Sequence, residues 1–197
     1  MENTVQTWSS KTKFLWIGVL IMALAGITAR FFGLFNFLGA LTILIYLLKV
    51  GVVAGFALYI LGLIQFRSIL GENDAKAVNK IFIAAIIGAS VAFLDLILGW
   101  VIGFGIIINI ANIVAWILAI IGFASLKGSA TFPAKARSGA SKLFIAMLLN
   151  LIGGALALLF GWVPIVTSVI VGIIYIVAFI MMLIGWSQIK SADPAVL

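Results

Sequence analysis

Long apolar runs alternate with short polar connectors along almost the whole chain of 197 residues. An α-helix needs about 20 apolar residues to cross the roughly 30 Å of hydrocarbon in a bilayer. We therefore expect an all-α integral membrane protein that forms a single transmembrane domain over residues 1–197. The pattern predicts six transmembrane helices, at residues 13–30, 42–66, 80–99, 104–126, 142–160 and 165–188.

Three helix endings resemble one another. They read "ILGLIQFRSIL", "ILAIIGFASLK" and "IMMLIGWSQIK" in chain order. Aligning them on Phe66, Phe123 and Trp186 also brings aromatic residues seven positions earlier into register. Self-similarity at a regular interval is typical of a repeat architecture.

The beginnings of the second and third apolar pairs match as well, as "KIFIA" and "KLFIA", and "KFLW" is a looser relative at the first. The sequence therefore predicts three parallel-repeated helical hairpins. Their units cover about residues 13–68, 80–127 and 142–190, with cytoplasmic connectors at about 69–79 and 128–141.

Aromatic residues stand near both ends of the predicted helices. Trp and Phe are common in the belts where a membrane protein meets the headgroups. We expect Phe66, Phe123 and Trp186 to be interfacial anchors at the connector side. Trp100 and Trp162 are expected to play the same part at the turns.

Basic residues are concentrated on one side of the predicted topology. Ten Lys and Arg residues fall in the termini and connectors, whereas the turn side holds Arg30 and Lys49 lies within a helix. An excess of positive charge in short loops marks the cytoplasmic side. Both termini are therefore expected in the cytoplasm, and the small size favours a prokaryotic plasma (inner) membrane.

Composition excludes several classes of function. The chain is 65% hydrophobic and 9% charged, with a mean hydropathy of +1.38, against about 25% charged in soluble domains. The net charge of +7 is explained by the connectors, so the expected partner is the lipid bilayer and not nucleic acid. With no Cys, no His and no acidic pair, we expect no metal site, no cofactor and no catalytic activity.

The first apolar run has a second interpretation. Lys11 and Lys13 precede "FLWIGVLIMALAG", and Ala23 and Ala25 are spaced as in a cleavage site, so the run also fits a signal peptide. We favour a retained helix, because cleavage would destroy the first hairpin unit.

Asp95 is the only acidic residue within the predicted helices. Lys49 and Arg30 lie at a similar depth, about 20–25 Å from the predicted anchors. Because an unpaired charge at mid-bilayer costs about 2.5–3.5 kcal/mol, we expect Asp95 to pair with Lys49 or else with Arg30. The alternatives are that both cations extend outward while Asp95 reaches water near Trp100, or that Asp95 has an ion or proton role.

Four amides are the remaining polar groups of note. We expect them to form hydrogen bonds between helices, with substrate binding as the alternative. They are Asn109, Asn112, Asn150 and Gln65.

Two functions remain open. Three hairpins with both ends on one side resemble the six-helix layout of mitochondrial carriers in outline, but the proline-acidic-basic signature is missing, so no family is assigned. Missing chemistry favours a non-catalytic accessory or scaffold subunit, which binds other membrane proteins or itself. The alternative is a small-solute or ion transporter or channel, which a water-accessible cavity at Asp95, Lys49 and Asn112 would support.

Overall fold

The computed structural model describes residues 2–34, 39–99, 101, 103–163 and 169–195. Within these residues the chain forms six helices, each long and apolar enough to cross a membrane. The chain is therefore a multi-pass, all-helical membrane protein, as the hydrophobic pattern predicts. The helices are α1 Glu2–Leu34, α2 Thr42–Arg67, α3 Glu72–Leu98, α4 Phe104–Gly128, α5 Ala134–Phe160 and α6 Val171–Lys190.

The odd-numbered helices begin several residues earlier than expected. The predicted connectors at 69–79 and 128–141 shrink to residues 68–71 and 129–133. Hydropathy detects the part of a helix that crosses the hydrocarbon but not a polar extension beyond it. In α3 this extension starts at Glu72, where acidic side chains in the first turn suit the positive end of the helix dipole.

The six helices close into a ring. Each helix packs against its neighbours in the chain, and α6 returns to pack against α1. Packing is most extensive between α1 and α2, between α5 and α6, and between α3 and α4. The pairs that were predicted as hairpins are thus the most closely associated helices.

Glycine allows the first pair to approach closely. A Cβ atom on Gly18 would lie 2.6 Å from the backbone nitrogen of Tyr59 and 2.7 Å from the carbonyl oxygen of Gly55. Backbone therefore meets backbone at this point, as is common where membrane helices associate.

A glycine near the end of each even-numbered helix packs against a buried aliphatic side chain of the helix before it. The three contacts are Gly62 with Leu15, Gly122 with Ile81, and Gly185 with Leu143.

These glycines offer a second alignment of the three endings. Phe66 comes four residues after its glycine, as do Leu126 and Ile189, and all three side chains are fully buried. Phe123 and Trp186 come one residue after theirs. The glycine contacts therefore favour a register for the first ending that differs by three positions from the alignment on aromatic residues, which the small alphabet of membrane segments also allows.

The indole of Trp8 joins the first helix to the last. Its Nε1 donates a hydrogen bond of 2.7 Å to the carbonyl oxygen of Ile189, which also accepts one of 3.2 Å from the Ala192 N–H just past the helix. The start of α1 and the end of α6 thus meet at one end of the ring. Trp8, Leu15 and Val19 are buried, so α1 is an integral part of the core.

Four aromatic side chains close this end of the ring. Trp186 is 1% exposed, and the rings of Tyr59, Phe66 and Phe123 surround it with centroids 5.6, 6.1 and 6.0 Å away. We call these four residues the aromatic cluster. Phe66, Phe123 and Trp186 are therefore not interfacial anchors: they face one another inside the ring, because wide edge-to-face rings fill a space that aliphatic side chains leave open.

The outer surface is apolar. Ile43 and Leu159 are 79% and 65% exposed, and exposure of this kind over a whole bundle suits lipid, since soluble proteins rarely show large apolar patches. Trp162, just after α5, is 81% exposed. Trp100 lies outside the described residues.

The close contact at Gly18 leads to a stability prediction. Gly18→Ala should lower the free energy of unfolding by about 1–3 kcal/mol, because the added methyl group overlaps backbone atoms that cannot move independently. Gly172→Ala is the control, since a Cβ there has no neighbour within 4 Å and alanine replaces glycine in a helix in both variants. Unfolding in mild detergent, followed by tryptophan fluorescence, measures both; equal stability of the two variants would contradict the packing argument.

Candidate functional site

The ring encloses a cavity of about 430 Å³. Small-molecule sites in proteins usually occupy about 300–1,000 Å³. All six helices contribute to its wall, and Tyr59 and Phe123 of the aromatic cluster lie at its base. The cavity is thus closed at the end where α1 begins and α6 ends.

Nearly all the polar residues predicted within the membrane lie on this one cavity. Gln65 does not: it lies near the closed end, where its main-chain carbonyl accepts a 2.7 Å hydrogen bond from the Ser68 hydroxyl. Those that line the cavity are Arg30, Lys49, Asp95, Asn109, Asn112 and Asn150.

Lys49 and Asp95 form an ion pair across the α2–α3 interface. Lys49 Nζ lies 2.8 Å from Asp95 Oδ2 and 3.5 Å from the main-chain oxygen of the same residue. The two side chains are 31% and 37% exposed, so the pair is accessible from the cavity. Of the two partners considered for Asp95, the structure therefore brings Lys49 to it.

Arg30 has a different neighbour. Its guanidinium carbon lies 4.2 Å from the centre of the Tyr175 ring, a cation–π geometry that links α1 to α6. Arg30 forms no salt bridge with any side chain in the described ranges. The cavity wall therefore carries one positive charge that no carboxylate of these ranges neutralises.

The cavity is polar at one end and apolar at the other. Asp95 is 14 residues from the buried Ile81, about 21 Å along the helix, and Asn150 is seven residues from Leu143, about 10 Å. Charges therefore lie far from the aromatic cluster, and amides continue part of the way towards it. The apolar wall includes Met22, Phe56, Met147, Phe179 and Met182.

The amides of Asn109, Asn112 and Asn150 open onto the cavity. No hydrogen bond joins them to a neighbouring helix within the part of the chain that the structure describes, contrary to the interhelical bonding that we expected. Asn150 is only 8% exposed, and the part of it that remains open borders the cavity. Such amides suit a site in which water or a solute supplies the partners.

Asn109 also borders a second cavity, of about 410 Å³, between α4 and α5. Gly103, Gly105 and Gly161 line this space together with Trp162. Because glycine has no side chain, the two helices leave a gap near the polar end of the ring.

Tyr175 was missed by the sequence analysis. It precedes Gly185 by ten residues, as Asn112 precedes Gly122 and Val52 precedes Gly62, and all three line the cavity. An alignment on the three glycines, rather than on the aromatic residues, would have identified this position.

Asp74 was also missed, because it was placed in a polar connector. It is 4% exposed and accepts a 2.9 Å hydrogen bond from the hydroxyl of Thr131 in the loop before α5. The neighbouring Phe132 is fully buried and contacts Trp8 and Phe66. This contact fastens the loop to the closed end of the ring and does not involve the cavity.

Comparison of the chain with protein-family models, with curated proteins and with solved structures gives no match. The function is therefore argued from the geometry of the cavity.

The ion pair leads to a double-mutant prediction. Lys49→Gln and Asp95→Asn should each lower the free energy of unfolding. The double variant should lose less than the sum of the two single losses. The difference, which is the coupling energy of the pair, should be about 1 kcal/mol in a cavity that admits water. Lys76→Gln and Glu72→Gln provide the control cycle, because that pair is 2.7 Å apart but 69% and 82% exposed. Chemical unfolding in detergent measures both cycles, and equal coupling in the two would show that the cavity gives the first pair no special strength.

Proposed function

We propose that this protein is a non-catalytic transporter or channel that binds a small solute in the central cavity and carries it across the membrane. One observation supports this proposal above all others. Residues from distant parts of the chain, including Lys49, Asp95 and Asn112, line a single cavity. A cavity lined by these residues favours transport over an accessory role.

The energetics of packing support the same conclusion. A bundle that only has to pack is more stable with small and apolar residues inside, since charges in the membrane each cost about 2.5–3.5 kcal/mol. This chain instead leaves about 430 Å³ unfilled and directs charged and amide groups towards it. Binding of a solute would explain why these groups are present despite their cost in the membrane.

The accessory or scaffold role has weaker support. It depends on a wide apolar surface for other subunits or a second copy of the chain, and residues such as Ile43 and Leu47 are well exposed. Lipid covers such a surface as well as a protein does. The cavity is the more specific feature.

We also propose that the site binds without catalysing. Its one carboxylate, Asp95, is paired with Lys49, and the sequence contains neither His nor Cys. A general base or nucleophile normally needs a free carboxylate, an imidazole or a thiol near the reacting group.

Three hairpin repeats and cytoplasmic termini complete the proposal. The repeat is supported by the equivalent contacts of Gly62, Gly122 and Gly185. The orientation is supported by the basic residues at the closed end, such as Arg67 and Lys190 at the ends of α2 and α6. In a plasma membrane the polar end of the cavity would then face the outside.

Cysteine labelling tests access to the cavity without background, because the chain has no Cys. A cysteine introduced by Asn112→Cys should react with a small, charged, membrane-impermeant thiol reagent in intact cells, because water reaches the cavity wall. It should also react in inside-out vesicles, because a transporter exposes its site to each side in turn. Ala140→Cys is the control, since Ala140 is 0% exposed and should react only after denaturation.

Three results are informative. Labelling of Asn112→Cys from both sides supports transport. Labelling from one side only indicates a static cavity and contradicts the transporter. Labelling only after denaturation contradicts any solute site and favours the accessory role, for which native mass spectrometry would then identify the partner.

The same approach tests the orientation. Trp162→Cys should react with the impermeant reagent in intact cells, whereas Ser191→Cys should react only in inside-out vesicles, because the two exposed residues lie at opposite ends of the ring. The reverse pattern would place both termini outside.

A further inference from the structure

The two ends of the cavity differ in the chemistry that they offer to a ligand. Charged and amide groups lie at the end far from the aromatic cluster, whereas Phe56, Phe179 and Met182 line the apolar part. Flexible methionine side chains adapt to apolar ligands of varied shape, and aromatic rings offer them a large apolar surface. A ligand that contacts both parts must therefore have a polar group and an apolar body.

The charges of the wall indicate the sign of that polar group. Lys49 and Asp95 neutralise each other at 2.8 Å. Arg30 is left with a positive charge that no carboxylate within the described ranges balances. A ligand with one negative charge would make the cavity neutral, whereas a cation would add to the excess positive charge.

The geometry of Arg30 suits an anion. A guanidinium has five N–H groups, more than its contact with the Tyr175 ring, 4.2 Å away, can engage. These N–H donors form a planar fork that matches two oxygens of a carboxylate, sulfonate or phosphate. Arg30 can therefore contact Tyr175 and bind an oxyanion at the same time.

We propose, on the basis of the transport function proposed above, that the solute is a small amphipathic anion. Its oxyanion group binds Arg30, its apolar body lies against the aromatic and methionine side chains, and Asn150 supplies a hydrogen bond between the two parts. The ion pair of Lys49 and Asp95 keeps the remaining charge of the site neutral.

Three probes with the same chain and different head groups test this proposal: octanoate, octanol and octylammonium. Binding to the full chain in nanodiscs is measured by titration calorimetry, with empty nanodiscs subtracted, and by protection of Asn112→Cys from the thiol reagent. We expect octanoate to bind and protect at least about tenfold better than octanol, and octylammonium to be the weakest.

Substitution of Arg30 separates its charge from its size. Arg30→Gln should weaken octanoate about tenfold and leave octanol unchanged, and Arg30→Lys should retain the preference for the anion. Arg67→Gln is the matched control: this arginine is exposed and bonded to Asn79 Oδ1 at 2.7 Å, away from the cavity. The Arg67→Gln protein should bind octanoate as tightly as the unsubstituted protein does. Melting temperatures of all variants identify any that fail to fold.

The outcomes distinguish this inference from the transport proposal. If octanol or octylammonium protects Asn112→Cys as well as octanoate does, or if Arg30→Gln binds octanoate normally, the cavity binds solutes but the anion inference is wrong. If Asn112→Cys is inaccessible and no probe binds, the transport proposal fails as well. Loss of the anion preference in Arg30→Gln, with octanol binding retained, supports both.

Discussion

A ring of six helices cannot fill its own centre with side chains of ordinary size. Packed helices stand about 8–10 Å apart, and the contacts made by glycines such as Gly18 and Gly185 set the spacing within each pair. At one end the centre is filled by the wide rings of Tyr59, Phe123 and Trp186. Beyond this cluster the described residues leave the centre open as the cavity. The architecture of the site thus depends on where the aromatic cluster ends.

The open centre explains how charges are tolerated within a span. Lys49 and Asp95 lie about 20 Å along their helices from the buried layer at Gly62 and Ile81, and their side chains stay 31% and 37% exposed where they line the cavity. Pairing across the α2–α3 interface offsets much of their cost. The Arg30 guanidinium carbon instead lies 4.2 Å from the centre of the Tyr175 ring across the α6–α1 interface. Each polar contact therefore joins two hairpins, where packing is less extensive than it is within them.

Several features could be predicted from the sequence because they depend on local pattern. The six apolar segments, and Asp95 as the one acidic residue predicted within them, follow from composition and residue order alone. The helix starts were placed too late, because polar extensions such as the one from Glu72 carry no hydropathy signal. The role of Trp186 was misjudged for a related reason. An aromatic residue near a helix end fits a headgroup belt and a buried cluster equally well in one dimension.

The candidate site was only partly predictable. Depth along a helix is a one-dimensional quantity, so Arg30, Lys49 and Asp95 could be assigned to a common level from their positions. Which cation meets Asp95, and whether Asn112 bonds to a helix or faces a cavity, depends on the rotation of each helix about its axis. That rotation is set by contacts between helices, such as Gly122 against Ile81. The sequence by itself therefore determined that this is a membrane protein, how many helices it has and which polar residues lie within them, since these follow from local hydrophobicity. Only the tertiary structure decided that the groups converge on one cavity, because convergence is a property of the closed ring and not of any single helix.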